Sequence, residues 1–180
     1  MPSPIAHAVS GYVLGKFILL SPSTPYQWRG AFFQNFYPVL IATVADFDFI
    51  PQILTGIRFH RGITHTLIFA MVFSGMISLI ARYYRQQNYK NLFGFTLILY
   101  SSHFILDFFT DGGLGLQLFW PFTDMYFKSP IPFFPRVRHN LGLFDARHIE
   151  FIIFEICYSI MILMILYCWK IWQSRRVEEL

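Results

Sequence analysis

The chain has 180 residues, of which 55% are hydrophobic and only 13% charged, and its mean hydropathy is +0.47. This composition excludes an ordinary soluble domain, in which about a quarter of the residues are charged, and the 22 phenylalanines are typical of a membrane protein. The formal net charge is +4, but the basic residues are scattered singly or in pairs, so no nucleic-acid partner is expected.

Five apolar segments are predicted to form helices, each close to the roughly 20 residues that a membrane-spanning helix needs. Polar residues interrupt the first two segments, so we expect about four to five spans. The long connector 111–148 is rich in proline and phenylalanine and is predicted to lie along the membrane surface. The sequence therefore predicts an all-α integral membrane helical bundle, with residues 1–180 as one domain. The five segments are 4–20, 32–50, 65–82, 92–110 and 149–170.

Antiparallel alternation of these helices brings their acidic and imidazole groups to one membrane face. The groups lie far apart in sequence, and no segment has to be moved for them to converge. Ionisable residues at membrane depth are costly and are functional candidates by default. They are His7 at the start of the first segment, Asp46 and Asp48 at the end of the second, His65 at the start of the third, Asp107 and Asp111 at the end of the fourth, and His148 and Glu150 at the start of the fifth.

The stretch "HFILD" places His103 and Asp107 four residues apart, and therefore on one face of a helix. An imidazole nitrogen and a carboxylate oxygen at this spacing can bind one metal ion at about 2.0–2.2 Å. The alternative is a buried His–Asp hydrogen bond that ties helices together.

The stretch "ADFDFIP" supplies Asp46 and Asp48. Two residues apart in a regular helix point in nearly opposite directions, so both can serve one site only where the helix is ending, and Pro51 favours such an end. Paired carboxylates without a cation repel each other, and a metal removes that conflict. The alternative is a solvated helix end.

The stretch "FHRGITHTL" places His60 and His65 around Arg61 and Gly62. The glycine permits a tight turn, and Thr64 is predicted to cap the following helix. An arginine beside metal ligands suits an anionic group such as phosphate.

The motifs "HRGITHTL", "DFDFIP", "SHFILDFFTDGG" and "LFWPF" together resemble the bacterial inner-membrane family of YdjM type, whose members are regarded as metal-dependent hydrolases. The resemblance runs from His7 to about Glu150. Ala45 stands where the family typically has proline before the first aspartate, and Thr66 where it often has serine. The resemblance implies a location in the bacterial inner membrane.

The order of these elements is also similar to that of the zinc-dependent phospholipase C and nuclease fold. That similarity implies a first metal site and a second one that shares a bridging Asp107. It makes no firm assignment for Asp48, Asp111 or Glu150. The implied ligands are Asp46, His65 or His60, His103 and Asp107 for the first metal, with His7 and Asp107 for the second.

These observations predict a membrane-bound metal-dependent hydrolase that acts on a phosphoester of a membrane lipid or a lipid-linked head group. Metal-activated water would attack phosphorus, Arg61 would stabilise the developing charge, and Asp48 or Asp46, whichever is free of the metal, would be the general base. Zinc fits the mixed His/Asp ligands best, with manganese or iron as alternatives.

Two other functions remain open. The protein could be a non-enzymatic membrane protein whose metal site is structural or sensory and whose 111–148 connector docks a partner. A transporter is less favoured, because the ionisable residues gather at one face rather than along a path.

Overall fold

The computed structural model describes residues 3–19, 30–55, 61–85, 88–111, 113–135 and 149–178. Within these ranges the protein is all-helical, without β-strands. The α-helices are α1 (Pro4–Leu19), α2 (Tyr37–Thr43), α3 (Phe49–Thr55), α4 (Leu67–Arg85), α5 (Tyr89–Phe108) and α6 (Ile149–Glu178). Four of them, α1, α4, α5 and α6, lie where the sequence predicts helices.

The predicted segment 32–50 forms a composite helix rather than a regular one. A π-helical turn at Phe32–Phe36 leads into α2, and a 3-10 helix at Val44–Asp48 leads into α3. Pro38 lies in the first turn of α2 and has no backbone N–H, which fits the irregular turn just before it. The sequence suggested that the helix ends near the two aspartates, before Pro51. The structure instead has a 3-10 helix at the aspartates, which continues into α3 and past Pro51.

Helix α1 is central to the fold, because it packs against α2, α5 and α6. Its sequence "GYVLG" places Gly11 and Gly15 one turn apart on the face toward α2. A Cβ at Gly11 would overlap Ala42 and the carbonyl oxygen of Pro38, and a Cβ at Gly15 would overlap the Pro38 ring. The two glycines allow the close helix contact that small residues at this spacing provide in membrane proteins.

In the described part of the chain, two helices, α4 and α6, are long and apolar enough to cross a membrane. Helix α1 is apolar but shorter, at 16 residues. The predicted count of four to five spans is therefore not confirmed.

The described part of the connector, residues 113–135, contains no regular helix and folds back onto α5 and α6. Ser129 donates its backbone N–H to the Phe108 carbonyl, and Phe133 donates to that of Phe109. The ring of Phe134 packs edge-on against Phe154 of α6. These contacts attach the connector to the end of α5 that carries Asp107.

Candidate metal centre

Four separate elements converge on a buried cluster of imidazoles and carboxylates. His7 lies in the first turn of α1, Asp46 in the 3-10 helix, His65 just before α4, and His103 and Asp107 in α5. The three histidines are fully buried and Asp107 is 1% exposed. His60, also predicted as a ligand, lies outside the described residues.

Four ligand atoms of this cluster face one another. His103 Nε2 lies 3.1 Å from His65 Nε2 and 3.4 Å from Asp46 Oδ1. Asp107 Oδ2 lies 3.6 Å from His65 Nε2 and 3.9 Å from His103 Nε2, and Asp46 Oδ1 lies 4.0 Å from His65 Nε2. Ligands bound tetrahedrally at about 2.1 Å would be about 3.4 Å apart, so these separations fit a metal-binding arrangement.

His7 faces the other side of the same two carboxylates. Its Nε2 lies 3.7 Å from Asp107 Oδ1 and 4.0 Å from Asp46 Oδ2, and its ring stacks on His103 with centroids 3.7 Å apart. Two overlapping groups could each hold an ion, His7 with His103 and Asp107, and Asp46 with His65 and His103.

The hydrogen bonds of the imidazoles determine which nitrogens carry protons. His103 Nδ1 lies 2.9 Å from the carbonyl oxygen of Ala42, which can only accept, so Nδ1 donates and, when the ring is neutral, Nε2 presents a lone pair. His65 Nδ1 faces Asp48 Oδ2 at 3.3 Å, which leaves Nε2 as its lone pair too. Burial lowers the pKa of His65 below its ordinary value near 6.5, partly offset by its bond to Asp48, and so favours the neutral ring.

The Nε2 atoms of His65 and His103 and the carboxylate oxygens of Asp46 and Asp107 therefore face one another at separations of 3.1–4.0 Å. Among the described residues, both nitrogens of His7 and both oxygens of Asp46 and Asp107 are buried without a hydrogen-bond partner. A buried polar atom in this condition costs about 1–3 kcal/mol, and more when it is charged. A divalent cation would satisfy these atoms together, so the residues fit a metal.

Asp48 lies behind His65 rather than among the facing ligand atoms. Its Oδ2 accepts a hydrogen bond from the Thr64 hydroxyl at 2.7 Å and one from the Arg61 backbone N–H at 3.2 Å, in addition to facing His65 Nδ1. A carboxylate on the far nitrogen of a metal-binding histidine fixes the orientation of its ring. These contacts favour an orienting role for Asp48, while its predicted general-base role stays a prediction.

Arg61 lies at the edge of the cluster. Its Nε is 3.4 Å from Asp107 Oδ2, and its side chain is 14% exposed, more than any cluster carboxylate. Its backbone has φ of 63°, a left-handed conformation that costs a non-glycine residue about 1–2 kcal/mol. The turn holds the guanidinium between the buried carboxylates and the surface.

Two features of the site differ from the sequence prediction or were missed by it. Helix α4 begins at Leu67, and the hydroxyl of Thr66 accepts from the Phe69 N–H, so Thr66 caps this helix and not Thr64. The carboxylate of Glu155 in α6 binds the backbone N–H and hydroxyl of Ser3 at the start of α1. An acidic residue inside an apolar helix was a signal that it needed a partner, but the partner lies too far away in sequence to be identified.

Comparison with known protein families matches residues 1–177 to the family described as YdjM inner membrane protein. The chain belongs to this family. The match covers the whole cluster, from His7 to Asp107, and confirms the resemblance seen in the sequence motifs.

This YdjM-family member is also similar to inner membrane protein YbcI of Escherichia coli (strain K12), with 30% identity over 100 residues. The similar region covers 53% of this chain and 57% of YbcI, so the chain spans little more than half the length of that relative. No solved structure matches the chain, and the similarity to zinc-dependent phospholipase C is not shown. The names of the family and of the relative, with the two apolar helices, confirm an inner-membrane location.

Proposed function

We propose that this YdjM-family member is a membrane-bound metal-dependent hydrolase that cleaves a phosphoester of a membrane lipid or lipid-linked head group. The observation that carries the proposal is the convergence of buried ligand atoms on His65, His103, Asp46 and Asp107, in which the carboxylate oxygens have no hydrogen-bond partner among the described residues. Such an arrangement is unfavourable unless a cation binds it.

The cluster would hold one or two divalent ions, with Asp107 shared between them. A bound ion would polarise a phosphoryl oxygen and lower the pKa of a water molecule. Two neutral imidazoles with two carboxylates suit zinc, and manganese or iron also accept this ligand set. His65 and His103 would hold the ion through Nε2, because their Nδ1 atoms are used by Asp48 and Ala42.

The remaining residues position the substrate and the ligands. Arg61 would bind a phosphate oxygen, since its guanidinium lies beside the cluster and reaches the surface. Asp48 would hold His65 in its tautomer, and Asp46 would be the general base when it is not a ligand. Burial of the histidines keeps bulk water from the ligand atoms, which strengthens every electrostatic interaction there.

The proposed arrangement in the membrane has four to five spans. Helices α4 and α6 would be joined by α1, α5 and the composite helix that ends in α3. Since α1 packs on both α5 and α6, these helices would form one bundle with the cluster at one membrane face.

One observation favours a second candidate function, a structural or sensory metal site. His7, His65 and His103 are fully buried, and a closed site with four protein ligands for each ion and no bound water is typical of structural metals. In that case the 111–148 connector would dock a protein partner.

Hydrolysis of bis(p-nitrophenyl) phosphate by detergent-purified, metal-reconstituted protein separates the two functions. We expect turnover by the wild type and a loss of about 100-fold in kcat/KM in Arg61→Ala at unchanged metal content, since one charge-stabilising donor contributes about 10²–10³. Arg82→Ala, an exposed arginine of α4, is the matched control and should keep full activity. Metal-loaded wild type without turnover on this or lipid phosphoesters would support the structural site.

A further inference from the structure

A cavity of about 460 Å³ lies between the connector and α6. Aromatic rings form most of its wall, and edge-to-face contacts of Phe134 with Phe154 and Tyr158 hold them in place. Among the described residues, no charged side chain lines it. Phe109 and Phe133 line the cavity on the connector side, and Phe154, Cys157 and Met161 line it on the α6 side.

Two wall residues of the cavity are connected to the helices that carry the metal cluster. Phe109 follows Asp107 by two residues, at the end of α5. Tyr158, another wall residue, lies 2.7 Å from the hydroxyl of Ser10, which is less than one helical turn beyond His7 in α1. The wall of the cavity is therefore built on the same two helix segments that carry Asp107 and His7.

Along α6, the cavity lies at the level of the polar cluster. Residues 154–161 lie five to twelve positions after the start of α6, or roughly 8–18 Å along its axis. The hydrocarbon core of a bilayer is about 30 Å thick. Ser3 at the start of α1 and Ser10 within it contact Glu155 and Tyr158 of α6, so His7, which lies between the two serines, is level with the cavity.

The chemistry of the wall identifies the occupant. The cavity opens on α6, whose side chains are mostly exposed along a helix apolar enough to span a membrane, so the molecules that meet it are lipids. Its volume falls in the range of about 300–1,000 Å³ found for small-molecule sites and is too small for a protein helix. The apolar walls match an apolar chain, and the cluster with Arg61 at its edge matches an anionic head group.

We infer that this cavity holds one acyl chain of a lipid phosphoester whose head group lies at the His/Asp cluster. The inference rests on the proposed function and makes it specific, since it names a long-chain lipid rather than a water-soluble phosphoester as the substrate. The chain contributes binding free energy through burial of its methylene groups.

Photolabelling with phosphatidylglycerol that carries a diazirine in one acyl chain tests the inference without turnover. We expect labels on the wall residues of α6 and the connector. Cys157→Trp fills the cavity and should reduce this labelling by about tenfold or more, since each excluded methylene lowers binding about fourfold. Cys168→Trp, an equally exposed cysteine on the same helix outside the cavity, is the matched control and should label as the wild type. Met161→Trp provides a second filling variant.

The outcomes separate this inference from the proposed function. Equal wall labelling in Cys157→Trp, Met161→Trp and Cys168→Trp, with all three folded and holding wild-type metal, would overturn the acyl-chain site even if the protein hydrolyses soluble phosphoesters. Selective loss in the two filling variants supports the site, and it would do so even if bis(p-nitrophenyl) phosphate is not hydrolysed.

Discussion

Two carboxylates flank the His65 imidazole on opposite sides, and their surroundings differ. Asp46 Oδ1 faces Nε2 and, within the described structure, has no hydrogen-bond donor, whereas Asp48 Oδ2 faces Nδ1 and accepts from Thr64. The first is placed as a ligand and the second as the residue that orients the ring. Carboxylates two positions apart thus acquire different roles from the atoms around them.

Asp48→Asn should weaken metal binding without abolishing it. The amide cannot match the carboxylate as an acceptor for the His65 Nδ1 proton, and losing such an orienting partner costs about 10–100-fold in metal affinity. Competition with a chromophoric chelator measures the affinity. Asp124→Asn, an exposed aspartate of the connector, should leave it unchanged. If Asp48→Asn kept wild-type affinity and lost only turnover, Asp48 would be the general base instead.

Most residues of the cluster could be predicted from the sequence, because ionisable groups in apolar helices are energetically costly and are therefore functional candidates. Alternating the helices was enough to bring His7, Asp46, His65 and Asp107 to one end. The roles of single atoms could not be predicted. The proton on His103 Nδ1 depends on the carbonyl group of Ala42, and the sequence pattern does not reveal such a backbone contact.

At the scale of elements, α1 determines whether His7 reaches the other ligands. Glu155 holds the N-terminus of α1 through Ser3, and Gly11 and Gly15 set how closely the helix approaches α2. Asp46 follows α2 directly, in the 3-10 helix. How closely α1 approaches α2 therefore also determines how closely His7 approaches Asp46.

Gly11→Ala should destabilise the protein by about 1–3 kcal/mol, the usual cost of overpacking a close contact. The new Cβ would overlap Ala42 and the Pro38 carbonyl and push α1 away from α2. Thermal unfolding in detergent measures the effect. Gly94→Ala in α5 has open space around its Cβ and should be neutral or slightly stabilising. Equal melting temperatures for the two variants would contradict this account of the α1–α2 contact.

The positions of the long helices could be predicted because their apolar runs are continuous, whereas the composite helix could not. The segment 32–50 reads as one apolar run, whereas the structure has a π-helical turn just before Pro38, packed against α1, and a 3-10 turn at Val44–Asp48. The "GYVLG" spacing in α1 was a readable signal for close helix contact. Hydropathy alone does not distinguish membrane-spanning helices from buried ones, and the predicted count of four to five spans is therefore not confirmed.

The whole molecule combines an apolar helical body with one polar centre assembled from distant parts of the chain. The body places His/Asp ligand atoms at one end, Arg61 at their edge and an apolar cavity beside them. A metal would connect α1, the 3-10 helix, the turn before α4, and α5. The central claim is therefore that the cluster binds a divalent metal.

Elemental analysis of the purified protein tests that claim most directly, with wild type measured beside His65→Ala, Asp107→Ala and the control Asp124→Ala. We predict about one or two equivalents of zinc, manganese or iron in the wild type and the control, because the cluster offers ligands for one ion or two. Both cluster variants should lose the metal while remaining folded. A wild type that stays metal-free after reconstitution would contradict the account, and His103 and Asp107 would then hold helices together as a polar network.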